Sequence, residues 1–255
     1  MFGKNKLASV DQGSGEHLEV NSIFGTIQGE GPHAGEPAIF VRLAGCNLKC
    51  HFCDTEFERS TTMTVHEIVN EVRAAQSTDC CQTALVVLTG GEPMRQQIIP
   101  LLRRLVNAGM TVQIETAGTV WPQPLEVLPS RVVLTMDDLI GFNHGVELVC
   151  SPKTPRLHPK IIEYCHDYKY IVTAADMGLP VGSTQVKGKT AAPWRPDADD
   201  ATRHIWLQPA AAYIDGDITR PDEAATKANM RQAADIAMAL GYRLSIQIHK
   251  VVGLD

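Results

Sequence analysis

The sequence lacks a long apolar run, a large excess of one charge and any internal repeat. No segment approaches the roughly 18 uninterrupted apolar residues that a membrane-spanning helix needs. The 23 Lys and Arg residues against 29 Asp and Glu residues give a net charge of −6, so bulk electrostatics give no reason to expect a nucleic acid as partner. Residues 1–17 contain no apolar segment of the kind found in signal peptides. We expect them to form a flexible leader, because they are polar and contain Gly and Ser.

The composition favours one globular domain. Of the 255 residues, 44% are apolar and 20% are charged, which is close to the average of globular proteins. At about 150 residues per domain the length allows one or two domains, and no break in composition divides the chain. We therefore predict one domain over residues 18–255, with a loop extension at residues 183–203, which are rich in Gly, Pro, Asp and Lys.

Apolar runs alternate with helical patterns, which is typical of βα units and a parallel sheet. Thr64 and Glu67 form a capping box at the start of one helix, and Gly241 is a stop signal for the last long helix. About six core strands indicate a partial barrel rather than a complete one of eight strands. The predicted strands are 38–43, 84–89, 111–116, 131–135, 146–150, 168–172, 204–209 and 243–250; the predicted helices are one from Thr64, 95–108, 161–165 and 221–240.

Short polar motifs follow four of these strands. Residues 89–93 read TGGEP, 115–118 read ETAG, 151–153 read SPK and 208–209 read QP. In parallel α/β folds, ligands bind at the carboxyl ends of the strands. We therefore expect these motifs to surround one pocket.

Three of the seven cysteines lie within eight residues, directly after the strand at 38–43. Cys46, Cys50 and Cys53 have a C-x3-C-x2-C spacing, and thiolates suit iron–sulfur clusters and zinc. Three ligands leave one coordination position open, as catalysis requires. Two alternatives stay open on the spacing alone: a structural zinc site completed by His51 or His33, and three ordinary buried thiols. The other cysteines have no ligand spacing and are predicted to be core or surface thiols: Cys80, Cys81, Cys150 and Cys165.

The motif CNLKCHFC and the run Gly90–Pro93 together resemble the radical S-adenosylmethionine (SAM) enzymes. The resemblance implies a [4Fe–4S] cluster held by Cys46, Cys50 and Cys53, with SAM bound at the fourth iron. It places Phe52 near the adenine and Gly91 near the methionine amino group. Glycine there lets the backbone approach a ligand closely.

The flanking motifs narrow the resemblance. QGEG at 28–31, IETAGT at 114–119, SPK, WLQP at 206–209 and LSIQIHKVVG at 244–253 occur in the order found in the 7-carboxy-7-deazaguanine synthase family. The similarity spans about residues 20–253. It implies a partial, modified (β/α)6 TIM-like barrel of the radical SAM type. It also implies conversion of 6-carboxy-5,6,7,8-tetrahydropterin to 7-carboxy-7-deazaguanine with loss of ammonia, Mg²⁺, a homodimer, a flavodoxin-type electron donor and a cytoplasmic location.

The residues themselves support several of these roles. Arg42 is a charge inside an apolar strand and needs an anionic partner, either the substrate carboxylate or a structural carboxylate. Gln28 and Glu30 carry the groups that can read an aminopyrimidinone edge. Lys153 is either a partner for a carboxylate or a solvated loop residue.

The family pattern extends these assignments. Substrate contacts are expected at Ile27, Gln28, Gly29, Glu30, Arg42, Thr89, His249 and Asp255. Cofactor contacts are expected at Phe52, Cys53, Asp54, Gly91, Glu115, Ser151, Pro152, Lys153, Gln208 and Pro209, and Thr55 is expected to bind Mg²⁺. The chain departs from the family at Asp255, where many members end in proline. Two other functions remain as alternatives: a glycyl-radical activase acting on a protein, and a non-catalytic zinc or RNA-associated module.

Overall fold

The computed structural model describes residues 5–50, 52–53, 55–77, 82–127, 131–141, 144–176, 184–186, 189–197, 200, 202–217 and 219–254. Among these residues, nine strands form one mixed sheet in the order β13-β12-β9-β8-β5-β4-β2-β1-β3. Parallel pairing runs from β2 to β13, and β1 and β3 are antiparallel. The strands are β1 (His17–Ile27), β2 (Pro37–Leu43), β3 (Thr61–Thr64), β4 (Leu85–Gly90), β5 (Thr111–Thr116), β6 (Leu125–Val127), β7 (Val132–Leu134), β8 (Val146–Cys150), β9 (Asp167–Val172), β10 (Thr184–Val186), β11 (Lys189–Ala191), β12 (His204–Pro209) and β13 (Arg243–Leu244).

Two helix ends lie where the sequence signals indicate, whereas the predicted helices at 95–108, 161–165 and 221–240 begin two to four residues away from the observed ones. The capping box is confirmed, because Thr64 N donates to Glu67 Oε2 at 2.7 Å and Glu67 N donates to Thr64 Oγ1 at 3.1 Å. Gly241 has the left-handed conformation (φ 69°) that ends a helix without steric strain. The helices are α1 (Val65–Ser77), α2 (Ile99–Asn107), α3 (Pro159–Tyr164), α4 (Glu223–Leu240) and α5 (Ile248–Val251).

The inner parallel strands are buried on both faces, whereas the edge strand β13 is exposed, and the core lies around the inner strands. On α2, the apolar side chains at helical spacing are completely buried against the sheet: Ile99, Leu101, Leu102 and Leu105. A buried parallel sheet explains why the sequence of β4 and β8 reads as continuous apolar runs. The predicted α/β architecture with about six main parallel strands is confirmed, as an open, partial TIM-like barrel.

Several predicted elements differ from the structure. The prediction missed β1, because a bulge between Val20 and Ser22 interrupts its alternation of buried and exposed residues. The strand at 131–135 pairs with β6 in a separate hairpin and does not join the main sheet. Residues 183–203, predicted as a loop, contain the short antiparallel pair β10 and β11.

The predicted strand at 243–250 is wrong beyond Leu244. Its alternating pattern is typical of a strand, but only Arg243 and Leu244 pair with β12. Ser245 N then donates to Leu207 O at 2.9 Å, while Ser245 Oγ accepts from Gly31 N at 3.2 Å. These bonds turn the chain across the end of the sheet, so His249 lies in α5 and not on a strand.

Residues 5–12 contact the main body of the protein. The backbone of Ala8 donates to Cys46 O at 2.8 Å, and that of Asp11 donates to Arg95 O at 2.7 Å. The extent of a flexible leader and the single-domain boundary stay predictions. Within the described residues, no helix has the length and hydropathy needed to cross a membrane.

Candidate active site

A cavity of about 540 Å³ opens at the carboxyl ends of the parallel strands. Its wall combines the cysteine loop with side chains from β2, β4, β5, β9 and β12, as expected for this class of sheet. Most of the residues predicted from the sequence line it: Gln28, Glu30, Arg42, Cys46, Cys50, Phe52, Cys53, Thr55, Thr89, Gly91, Glu115, Ser151, Lys153, Gln208 and His249.

The three clustered cysteines face this cavity as reduced thiols. Cys46 is buried directly after β2, and Cys50 and Cys53 are half-buried. Burial raises the pKa of Cys46 to about 12, and the negative charge of Glu92 adds to this effect. Burial also raises the pKa of Cys50, which Lys153 opposes. Metal binding would replace the thiol protons.

The arrangement of the thiols suits a cluster. Within the described residues, no three Cys, His, Asp or Glu side chains are close enough to hold a single metal ion. In a [4Fe–4S] cluster each thiolate binds a different iron, so the sulfurs need not converge on one point. His33, an alternative zinc ligand, instead contacts Glu36 at 3.1 Å and Glu147 at 2.9 Å; His51 lies outside the described residues.

The glycine motif lies against the backbone of the cysteine loop. Gly91 N donates to Leu43 O and Glu92 N donates to Gly45 O, both at 3.0 Å. A Cβ atom on Gly91 would lie 2.0 Å from Gly45 O and 3.1 Å from Cys46 N. Packing against the loop that carries Cys46 therefore requires glycine at this position, independently of any cofactor.

Glu92, which follows β4, holds the end of β5 next to the cysteine loop. Its carboxylate is completely buried and accepts from Thr116 Oγ1 at 2.8 Å, Ala117 N at 2.8 Å and Met94 N at 3.1 Å. Burial raises the pKa of Glu92, and these hydrogen bonds lower it. The Glu92 side chain thus joins the ends of β4 and β5 beneath the cysteine loop.

Glu115 forms a polar group with residues predicted to contact the substrate. It accepts from Gln28 Nε2 and from Thr89 Oγ1, each at 3.1 Å. Burial raises the pKa of Glu115, while the Gln28 hydrogen bond, the Thr89 hydrogen bond and the charge of Arg42 lower it. Arg42 stands beside Thr89 in the register of β2 and β4 and stacks on Phe24, with its guanidinium carbon 4.7 Å from the ring centre. Glu115, predicted as a cofactor contact, therefore lies next to residues that are predicted to contact the substrate.

Sequence reasoning missed Lys169 and Gln247, which both hold Glu30. Lys169, on β9, forms an ion pair with Glu30 in which both side chains are less than 10% exposed. Gln247 Nε2 donates to the other carboxylate oxygen of Glu30 at 2.7 Å. Burial and the charge of Lys250 lower the pKa of Lys169 to about 7, while the adjacent Glu30 acts in the opposite direction. Lys169 carried the same signal as Arg42, a charge inside an apolar strand.

The SPK motif lies beside the cysteine loop. Lys153 Nζ donates to Ser151 Oγ and stands 5.1 Å from the centre of the Phe52 ring. On the neighbouring side of the cavity, Gln208 Oε1 is buried and has no hydrogen-bond partner among the described residues. An unsatisfied buried carbonyl oxygen that faces a cavity is suited to accept from a bound ligand.

The remaining predicted residues lie behind the wall or outside the described residues. Gly29 packs against His249, since a Cβ on Gly29 would lie 2.5 Å from His249 Nδ1. Ile27 ends β1, Pro152 is buried within the SPK turn and Pro209 ends β12. Asp54, Asp255, Cys80 and Cys81 are outside the described residues, and Cys150 and Cys165 are buried in the core.

Comparisons with known proteins agree with this geometry. Residues 41–181 match the family model of the Radical SAM superfamily. The 7-carboxy-7-deazaguanine synthase of Rhodospirillum rubrum is 38% identical over 99% of both chains. That of Rickettsia prowazekii is 33% identical over 100% of this chain and 96% of its own. The crystal structure of QueE from Escherichia coli superposes with a TM-score of 0.59 at 22% identity, over 90% of this chain and 93% of that one, and shares the fold.

Proposed function

This chain belongs to the 7-carboxy-7-deazaguanine synthases of the radical SAM superfamily, and we propose that it converts 6-carboxy-5,6,7,8-tetrahydropterin to 7-carboxy-7-deazaguanine with release of ammonia. This reaction belongs to queuosine biosynthesis. Radical SAM enzymes use a [4Fe–4S] cluster and SAM, and the three reduced thiols at the cavity wall are suited to hold the cluster. Together the cluster and SAM supply the radical that starts the reaction, and the protein supplies position and a dry site.

The observation that carries the proposal is the composition of the cavity. Cys46, Cys50 and Cys53 lie in the same wall as the buried polar groups around Glu30 and Glu115. An aminopyrimidinone edge presents donors and acceptors together, which carboxylate and amide side chains can match. Glu30 is held by Lys169 and Gln247, so its position is fixed before a ligand arrives.

The substrate carboxylate needs a cation, and Arg42 supports this role. Its fork can bind a carboxylate in two places, and it lines the cavity next to Thr89. In the structure its charge also acts on Glu115. Both roles of Arg42, a contact with the substrate carboxylate and an electrostatic partner for Glu115, are therefore part of the proposal.

Mg²⁺ is part of the proposal, with Thr55 offering its hydroxyl oxygen. Thr55 lines the cavity two residues after Cys53. Mg²⁺ prefers oxygen ligands and keeps several waters, so it can be shared between one side chain and a substrate carboxylate. There it would neutralise charge that develops on the substrate.

We further propose a homodimer, a flavodoxin-type electron donor and a cytoplasmic location. Exposed apolar side chains near the end of α4 and at the end of α5 support a protein contact: Met238, Val251 and the following Val252. An oxygen-sensitive cluster favours a reducing compartment, where free thiols persist.

Turnover of the pterin substrate tests the proposal. Anaerobically reconstituted protein with SAM, Mg²⁺ and a reductant should form 7-carboxy-7-deazaguanine, detected by mass spectrometry. Cys50→Ala should lose the cluster absorbance and all product, because a ligand is removed. Cys165→Ala, the same change at a buried cysteine away from the cavity, should keep both.

Three results would contradict the proposal. A fully loaded protein that leaves the pterin unchanged would exclude this substrate. A glycyl radical formed on a partner protein would indicate an activase instead. Zinc without sulfide in anaerobically purified protein would exclude the cluster.

A further inference from the structure

The segment of residues 5–12, called here the N-terminal strap, lies directly on the cysteine loop. Leu7 forms a parallel bridge with Cys46, and Ala8 N donates to Cys46 O at 2.8 Å. At the other end of the strap, Gln12 Nε2 donates to Met94 O at 2.9 Å. The strap therefore touches the loop at its first cysteine and is anchored separately beyond it.

Asn5, at the start of the strap, approaches Cys53, the last cysteine of the loop. Its side chain lines the cavity, and the residue is only 5% exposed. Asn5 Nδ2 donates to Thr55 O at 2.8 Å and also approaches Cys53 Sγ at 3.9 Å. An amide nitrogen has two hydrogens, so one can bind the carbonyl oxygen while the other points to the sulfur.

We propose that Asn5 is a positioning residue that tunes the reduction potential of the cluster through an N–H···S hydrogen bond to Cys53. One-electron reduction adds negative charge to a cluster and its thiolates. A hydrogen-bond donor at a ligand sulfur stabilises the more negative state and raises the potential. Burial of the amide strengthens the effect, because water does not screen it. The proposal concerns the cluster and does not rest on the identity of the substrate.

A simpler alternative to tuning is that the strap only holds the cysteine loop in place. Gln12 separates the two roles, because it anchors the strap by donating to the carbonyl oxygens of Met94, Arg95 and Gln96. Among the described residues, the Gln12 amide donates no hydrogen bond to a cysteine. A purely structural strap predicts similar effects for changes at Asn5 and Gln12. A tuning role predicts an effect on the potential at Asn5 alone.

Potentiometric titration of the reconstituted protein, followed by electron paramagnetic resonance of the reduced cluster, tests the proposal. Asn5→Leu keeps the size of the side chain and removes the donor, so the midpoint potential should shift to more negative values with iron and sulfide content unchanged. Gln12→Leu is the matched control and should keep the wild-type potential. Asn5→Gln retains an amide donor and should recover part of the shift.

Asn5→Asp covers the case in which Asn5→Leu does not retain its cluster. It has the same shape but places a carboxylate oxygen at the sulfur, so it must also lower the potential. An unchanged potential in a fully loaded Asn5→Leu protein would overturn the proposal. An equal shift in Gln12→Leu would also overturn it. So would loss of the cluster from both Asn5→Leu and Asn5→Asp, since each result assigns Asn5 a structural role only.

Discussion

Replacing Lys169 by methionine should lower the unfolding temperature of this protein markedly. The substitution keeps the length of the side chain and removes its charge, which leaves the Glu30 carboxylate buried with Gln247 as its remaining partner. Both members of the Glu30–Lys169 pair are less than 10% exposed. Because less than 10% of the side chain is exposed at the cavity wall, hydration replaces only a small part of the lost interaction.

The size of the effect follows from this burial. Removing one member of a buried ion pair costs about 3–5 kcal/mol, because an uncompensated charge stays inside. In a chain of this size each kcal/mol shifts the melting temperature by about 2–4 °C. The expected decrease is therefore about 6–20 °C.

Differential scanning calorimetry at pH 6 provides the measurement. Lys169 is protonated there, since this pH lies below its pKa of about 7. Lys160→Met is the matched control: Lys160 contacts Asp137 Oδ2 at 2.8 Å, but both side chains are about one-third exposed. Solvent screens such a pair, so the control should shift the melting temperature only slightly.

A double variant completes the test. Glu30→Gln with Lys169→Met removes both charges and should recover most of the lost stability, because no buried charge is then left alone. If Lys169→Met and Lys160→Met had the same melting temperature, the idea that Glu30 is fixed by a buried ion pair would be refuted.

Two further predictions concern the glycine motif and the pH dependence of stability. Gly91→Ala would place a Cβ 2.0 Å from Gly45 O, so the cysteine loop must move by about 1 Å, which should lower kcat roughly 100-fold. In the control Gly13→Ala the nearest atom to the new Cβ is 3.5 Å away, so this variant should have the wild-type kcat. A wild-type kcat in Gly91→Ala would contradict the close packing of Gly91 on the loop. The Glu147 hydrogen bond, assisted by Glu36, raises the pKa of His33 from 6.5 to about 9 against the effect of burial. The contribution of protonated His33 to stability should thus be complete below about pH 6.5 and lost as the pH rises through 9. His33→Gln should flatten the melting temperature over this range, and an unchanged slope would exclude His33 as its source.

The strands that the sequence predicted well are those whose neighbours bury them on both faces. β5, β8 and β12 have the predicted bounds, and each is an inner strand of the sheet whose residues are mostly buried. The segment after Leu244 alternates like a strand, yet it turns away because Ser245 bonds to Leu207 and Gly31. Such long-range bonds leave no local pattern in the sequence.

In the candidate site, too, local sequence patterns identify some residues, whereas others depend on long-range contacts. Cys46, Cys50, Cys53, Gly91 and Arg42 could be singled out, since each belongs to a motif or breaks an apolar run. Asn5 and Gln247 could not, because their partners lie 50 and 217 residues away along the chain. Ordinary polar residues near the chain ends resemble solvated ones until the fold brings them to the cavity.

The contact of residues 28–31 with residues 245–249 has a consequence for the order in which the site assembles during synthesis. The thiol loop, the glycine motif and the carboxyl end of β5 are all contributed by residues 5–117. The support of Glu30 by Gln247 and of Gly31 by Ser245 forms only after residues 245–247 have left the ribosome. Since contacts that are distant in sequence form late, we expect a nascent chain to be able to accept its cluster well before it can enclose a substrate.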